Sequence, residues 1–132
     1  MKGFVTNLET ETIKNTDFRR VLYTSKYNQL VLMSIDAGEE IGEEAHEGHD
    51  QFFRFESGEG KVVINHVEHR VKDGSGVIVP AGALYNVINT SKSAALKLYT
   101  IYSPPNHQDG VVRRSRAEAE ADDEHFDGKT SE

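Results

Sequence analysis

Glu44, His46 and Gln51 fall within eight residues of one another, in Glu44-Ala45-His46-Glu47-Gly48-His49-Asp50-Gln51, and offer a carboxylate, an imidazole and an amide oxygen. Oxygen and imidazole donors of this kind suit a divalent first-row ion such as zinc, iron, manganese or nickel. Glu44 and His46 are two apart, so they share a face wherever the chain is extended. Gly48 gives the following loop the freedom to bring Gln51 back to the same point. Tyr85, which opens a strand after the Pro80-Ala81-Gly82 bend and is aimed with Val87 at one face, carries a phenol. A phenol with its usual pKa near ~10 must lose its proton to coordinate, whereas as an acid or base it needs that pKa brought toward the working pH. The same side chains can also hydrogen-bond a small organic molecule without any metal.

The remaining histidines lack comparable partners. His49 takes the place of Gln51 if the loop register differs, and otherwise reads as a surface residue beside Asp50. His66 sits in a turn, while His69, His107 and His125 fall on an exposed strand, in the loop after Pro105 and in the tail, and all three are expected to face solvent. Ser34, Ser57 and Ser75 lack a Gly-x-Ser-x-Gly setting, and no Gly-rich loop carries a lysine, which sets hydrolase and nucleotide-binding readings aside.

The elements that must position these groups are short. At 132 residues the chain has room for one domain, and 36% hydrophobic with 28% charged residues is the composition of a folded one. The absence of cysteine excludes disulfides, thiolate metal sites and a cysteine nucleophile. A net charge of -7, from 15 basic against 22 acidic residues, argues against a nucleic-acid partner. The longest apolar run, Leu30-Val31-Leu32-Met33, is too short for a membrane span, and Met1-Lys2-Gly3-Phe4 leads into polar residues, so a cytoplasmic protein with no membrane partner is expected.

From Phe18 onward, β-branched and aromatic runs alternate with Gly, Asn and Asp clusters, the pattern of an all-β barrel or sandwich. The runs are Phe18–Thr24, Gln29–Ile35, Gln51–Phe55, Lys61–Ile64, His69–Val71, Val77–Pro80, a strand opening at Tyr85, and Leu96–Tyr102, about eight in all. Gly58-Glu59-Gly60 reads as a hairpin turn. Alternation from Gln51 places Phe53 and Phe55 inside with Val62, Ile64, Val87, Leu96 and Leu98, and turns Phe52 and Arg54 outward. An outward Phe beside the leading hairpin points to a surface covered by a second subunit. Residues 113–132 change character, with Ala117-Glu118-Ala119-Glu120-Ala121 behind a Ser115 cap and then Asp122-Asp123-Glu124. This reads as an acidic helix or tail, solvated, frayed and dispensable to the barrel formed by residues 1–112.

Gly74, Pro80, Gly82 and Asn89 have the spacing of the second motif of the cupin superfamily, which this region resembles. The motif's metal-binding His falls on Tyr85. In the first cupin motif the ligand positions fall on Glu44, His46 and Gln51. The resemblance covers roughly residues 18–105. It implies a double-stranded β-helix, or jelly roll, that forms a homodimer, with Glu44, His46, Gln51 and Tyr85 as the ligand set. Cupins include dioxygenases, isomerases, lyases, epimerases, storage proteins and sensory domains, so the fold alone implies no reaction. Two functions are therefore expected side by side. One is a metal-binding cupin acting on a small organic molecule, as an isomerase, lyase or dioxygenase with Tyr85 as ligand or catalytic acid/base. The other is a metal-free binding or sensory module.

Overall fold

The computed structural model describes residues 1–132, in which ten strands and two short helices follow one another. Helix α1 spans Leu8–Lys14 and precedes β1 (Arg19–Thr24), β2 (Gln29–Ile35), β3 (Glu44–Ala45), β4 (Asp50–Ser57) and β5 (Glu59–Ile64). After these come β6 (Val67–Lys72), β7 (Gly76–Val79), β8 (Leu84–Asn89), β9 (Leu96–Ser103), β10 (Val112–Arg113) and helix α2 (Arg116–Ala121). A six-stranded antiparallel sheet in the order β10-β1-β2-β9-β4-β7 faces a four-stranded one in the order β3-β8-β5-β6. This is a jelly roll, all-β apart from its two helices.

Side-chain alternation fixes which face of each strand is inside. In β9, Leu96, Leu98, Thr100 and Tyr102 are buried and the residues between them are half-buried. Gln51, Phe53 and Phe55 point the same way from the neighbouring β4, and Val62 and Val87 meet them from the opposite sheet. All five are at most 2% exposed, so the inward set read from the strand alternation is the core, with Ile64 packed at its margin. Gly58, at φ +95°, lies so close to the segment before β9 that a Cβ there would meet the Ala95 carbonyl oxygen at 2.6 Å, and because β4 and β5 lie in different sheets it marks a crossing rather than the hairpin turn read from Gly58-Glu59-Gly60. Asn89 closes the second motif: its buried amide donates to the carbonyl oxygens of Ile35, Asp36 and Ala94 and accepts from the N–H of Ser91. That clasp ties β8 to the end of β2 and the loop before β9.

Three expectations need correction. Helix α1 was not foreseen: seven residues are too few for a helical period to show, yet the Asn7 side chain caps it by accepting from the Thr10 N–H at 3.1 Å. The strands number ten rather than eight, because β3 and β10 are two residues long and leave no alternation to read. The end of the chain is not a frayed tail. Ser115 does cap α2, accepting from Glu118 N–H at 3.1 Å, but beyond that β10 pairs with β1 and Ala119 joins the core. Glu124 is buried, and the Ser131 N–H bonds the Thr24 carbonyl.

Candidate functional site

Strand pairing brings the four candidate residues together. β3 lies antiparallel to β8 with Glu44 opposite Tyr85, while Gln51 starts the inward face of β4. His46 follows β3 and turns its Nε2 to within 3.0 Å of Glu44 Oε2. The Tyr85 O–H donates to Gln51 Oε1 at 2.8 Å and lies 3.1 Å from Glu44 Oε2, so its single proton is shared between amide and carboxylate. Gln51 Nε2 donates to Thr100 Oγ1 at 3.0 Å, which fixes the amide with its oxygen toward the phenol. The cupin motif spacing named these four positions; the orienting role of Thr100 had no signal in a residue that otherwise reads as core.

Electrostatics follow from burial in this cluster. Burial pushes the Glu44 carboxyl up, but the hydrogen bond and charge of His46, the Tyr85 O–H and Arg19 outweigh it and hold the group below its usual range. Burial, with Tyr102 and Glu44 adding, raises the Tyr85 phenol well above its ordinary value. The condition that its pKa fall toward the working pH is therefore not met in the protein alone, and the phenol keeps its proton. Gln51 takes the place beside Tyr85, and His49 lies against His46 rather than facing solvent. Its ring centroid lies 4.5 Å from that of His46 and edge-on to Tyr102 at 5.2 Å, with Nε2 buried and unpartnered. Burial first, then His46 and His107, bring its pKa down to about 4.

His107 was expected in solvent and is instead 6% exposed, because Pro104-Pro105 turns the chain back under the barrel mouth. Its Nε2 lies 3.2 Å from the Tyr102 hydroxyl and its Nδ1 2.9 Å from Glu124 Oε1. Burial, reinforced by Arg19 and opposed by Glu124, lowers its pKa. We take the ring as neutral, with Nδ1–H toward Glu124 and Nε2 accepting from Tyr102. Its partner lies 17 residues downstream, and no local spacing reveals such a pair. His69 and His125 are exposed as expected, and His66 lies exposed in the turn between β5 and β6.

The cluster opens on a cavity of about 480 Å³ between the barrel mouth and the C-terminal segment. Glu44 and His46 lie on its barrel side, Arg19 and His107 on its floor, and Arg116, Glu120 and Asp123 on the segment that walls it. No three His, Asp or Glu side chains converge on one point. A metal would have two strong donors, Glu44 and His46, supplemented by Gln51 Oε1 and the Tyr85 oxygen. The 2.8–3.1 Å separations along this set are hydrogen bonds between neighbours in a chain, so it is the chemistry of the donors, with the amide and phenol as the weaker members, that suits a first-row ion.

A family model described as "Cupin domain" matches residues 31–102, the stretch that carries β2 through β9 and all four candidate residues. The chain belongs to the cupin family. This cupin is 44% identical over 126 residues to the uncharacterized protein YrkC of Bacillus subtilis, covering 91% of its own length and 67% of that protein. It is 40% identical to the uncharacterized protein L612 of Acanthamoeba polyphaga mimivirus over 83% of this chain and 70% of the other. Among solved structures it is similar to BH2720 of Bacillus halodurans, with a TM-score of 0.89 and 43% identity over 92% of this chain and 96% of that one. KdgF from a Halomonas species shares the fold at a TM-score of 0.65 and 18% identity, over 79% of this chain and 94% of that one. No helix of the cupin is long and apolar enough to cross a membrane.

Proposed function

We propose that this cupin binds a small organic molecule at a divalent zinc, iron, manganese or nickel ion held by Glu44, His46 and Gln51, with Tyr85 as a fourth donor or as the group that passes a proton. The observation that supports this reading is the unbroken run of contacts from His46 through Glu44 and Tyr85 to Gln51, each 3.1 Å or shorter, of which Glu44 and His46 line an open cavity. A bound ion would supply Lewis-acid polarisation of a ligand oxygen. The protein's own residues do the rest. Thr100 orients the amide, and His46 and Tyr85 keep Glu44 ionised. Phe53, packed against the Tyr85 ring at 5.7 Å, keeps water from the inner side of the phenol. Because Tyr85 holds its proton, it acts as a donor to developing negative charge on the ligand rather than as a base, a role that suits an isomerase or lyase and equally a dioxygenase. The reading carries with it a homodimer in the cytoplasm, the location resting on residue content alone.

The shared proton of Tyr85 favours a second reading, in which Glu44 and Gln51 are already satisfied without an ion and the cluster hydrogen-bonds its ligand directly. Zinc titration by calorimetry separates the two. Near-stoichiometric binding that disappears in a Glu44→Ala, His46→Ala double variant supports the first. In Tyr85→His a second imidazole replaces the phenol, and zinc affinity rises by about tenfold, roughly 1.4 kcal/mol. Absence of binding to zinc, iron, manganese and nickel alike in the wild type, with the barrel intact by circular dichroism, overturns the metal reading in favour of the metal-free binder. Weaker binding by the histidine variant overturns the place given to residue 85.

A further inference from the structure

Arg19 is buried, with its side chain 11% exposed, yet its guanidinium makes no hydrogen bond within the chain. Its Nε is fully enclosed without a partner. Its one ion-pair contact, to Glu124 Oε1 at 3.7 Å, is longer than a hydrogen bond. Glu124 has nearer neighbours, with Arg113 3.2 Å from Oε2 and His107 Nδ1 2.9 Å from Oε1. The guanidinium thus lines the cavity that also reaches Glu44 and His46, with Nε enclosed and unpartnered and only the long contact to Glu124 at its other end. A largely buried guanidinium with one long ion-pair contact and no hydrogen bond is costly unless something polar completes it.

The other charged groups around the cavity are occupied. Arg116 holds Glu120 at 2.9 Å, Asp123 faces His125 at 3.3 Å, and Glu44 is bonded to His46. Glu43 is exposed at the rim. We infer that Arg19 is the anchor for a carboxylate on the ligand, so that the molecule handled here is a small organic acid. It would be gripped by the guanidinium at one end and presented to the Glu44, His46, Gln51 and Tyr85 cluster at the other. Bidentate pairing of a guanidinium with a carboxylate matches in shape as well as charge. With five carboxylates among the lining residues, the site selects a single negative charge over a multiply charged anion such as phosphate. The cavity volume is in the range that takes one small molecule. This inference deepens the proposed function and rests on it for the chemistry at the far end, but not for the grip of Arg19.

The test uses glycolate, its uncharged counterpart glycolamide and inorganic phosphate as probes, each titrated into the full chain with and without zinc and followed by calorimetry and amide NMR. Glycolate is expected to bind zinc-free protein and to shift the amides of residues 19, 107 and 124. Glycolamide is expected to bind at least about tenfold more weakly, and Arg19→Gln to lose glycolate affinity by a similar factor. Zinc affinity of Arg19→Gln should not fall, because removing a nearby cation does not weaken a cation site. Arg19→Lys keeps the charge but not the fork. It should bind glycolate less well than the wild type, and provides the comparison if the glutamine variant is unstable. If zinc, iron, manganese and nickel all fail to bind but glycolate still depends on Arg19, the metal reading fails and this one stands. Wild-type protein that ignores glycolate up to about 10 mM, binds glycolamide or phosphate as well, or is matched by both Arg19 variants overturns it.

Discussion

Replacing Glu124 by glutamine removes the charge at the centre of the contacts that hold the C-terminal segment to the barrel. The carboxylate is 5% exposed and lies between Arg113, His107 and Arg19, whose side chains are 15%, 7% and 11% exposed. Burial pushes its pKa up, but His107, a backbone N–H and Arg19 bring it down to about 2 from an ordinary 4.5. At about 1.4 kcal/mol per unit that difference sets an upper value near ~3 kcal/mol, and solvent screening at the edge of the segment reduces it to about 2 kcal/mol. For a chain of this size the loss lowers Tm by about 7 °C at pH 7. Because the folded pKa lies below the unfolded one, the contribution is complete above about pH 4.5 and is lost as pH falls toward 2. Thermal unfolding of wild type and Glu124→Gln, followed by circular dichroism from pH 7 to pH 3, should show a gap in Tm that narrows below about pH 4.5. A gap under about 2 °C at pH 7, or one that stays constant into acid, would refute the reasoning and return residues 113–132 to the frayed tail that their composition describes.

Asn89→Ala should cost about 2–3 kcal/mol in urea unfolding, because it strips the carbonyls of Ile35, Asp36 and Ala94 of their shared donor; a loss below about 1 kcal/mol would show that water replaces the clasp. Cross-strand register lines up Ile78, Phe52, Ile101 and Leu30 on the outer face of the larger sheet, with Ile78 68% exposed, so Ile78→Asp should convert a homodimer into a monomer by light scattering. A wild type that is itself monomeric would remove the dimer from the proposal. The His49 ring should stay neutral until the pH approaches about 4, as followed by imidazole NMR. Its depressed pKa makes folding less favourable as pH falls from its ordinary 6.5 toward that value, and titration near 6.5 would place the ring in solvent.

What could be read in advance followed from period two. Phe53 and Phe55 are inside because Gln51 is, and Glu44 faces the same point as His46 because they are two apart. The turn residues Gly74, Pro80 and Gly82 carried the second motif, and with it the position of Tyr85. The reading failed where contacts join distant parts of the chain. His107 looked like a loop histidine because nothing near it in sequence is acidic in the right place, and Glu124 looked like one carboxylate of an acidic run. Only β10, two residues long, brings Arg113 beside Arg19 and makes both meaningful. Arg19 itself sits among strand residues and alternates with Arg20, which is exposed; the sequence alone does not tell which of the two turns inward.

The pairing of β2 with β9 has a consequence for how the molecule forms. It sets Gln29 opposite Tyr102 and Ile35 opposite Leu96, so the centre of the larger sheet joins segments with most of the barrel between them. The β1–β2 and β5–β6 hairpins need only local closure and can form within microseconds. Bringing β9 onto β2 requires a long loop to close before any contact rewards it, which places folding on the order of milliseconds to seconds. Until that closure, the inward face of β4, with Phe53 and Phe55, has no β9 beside it. The slow step of this chain thus coincides with the exposure of Phe53 and Phe55, and refolding yield should fall as protein concentration rises.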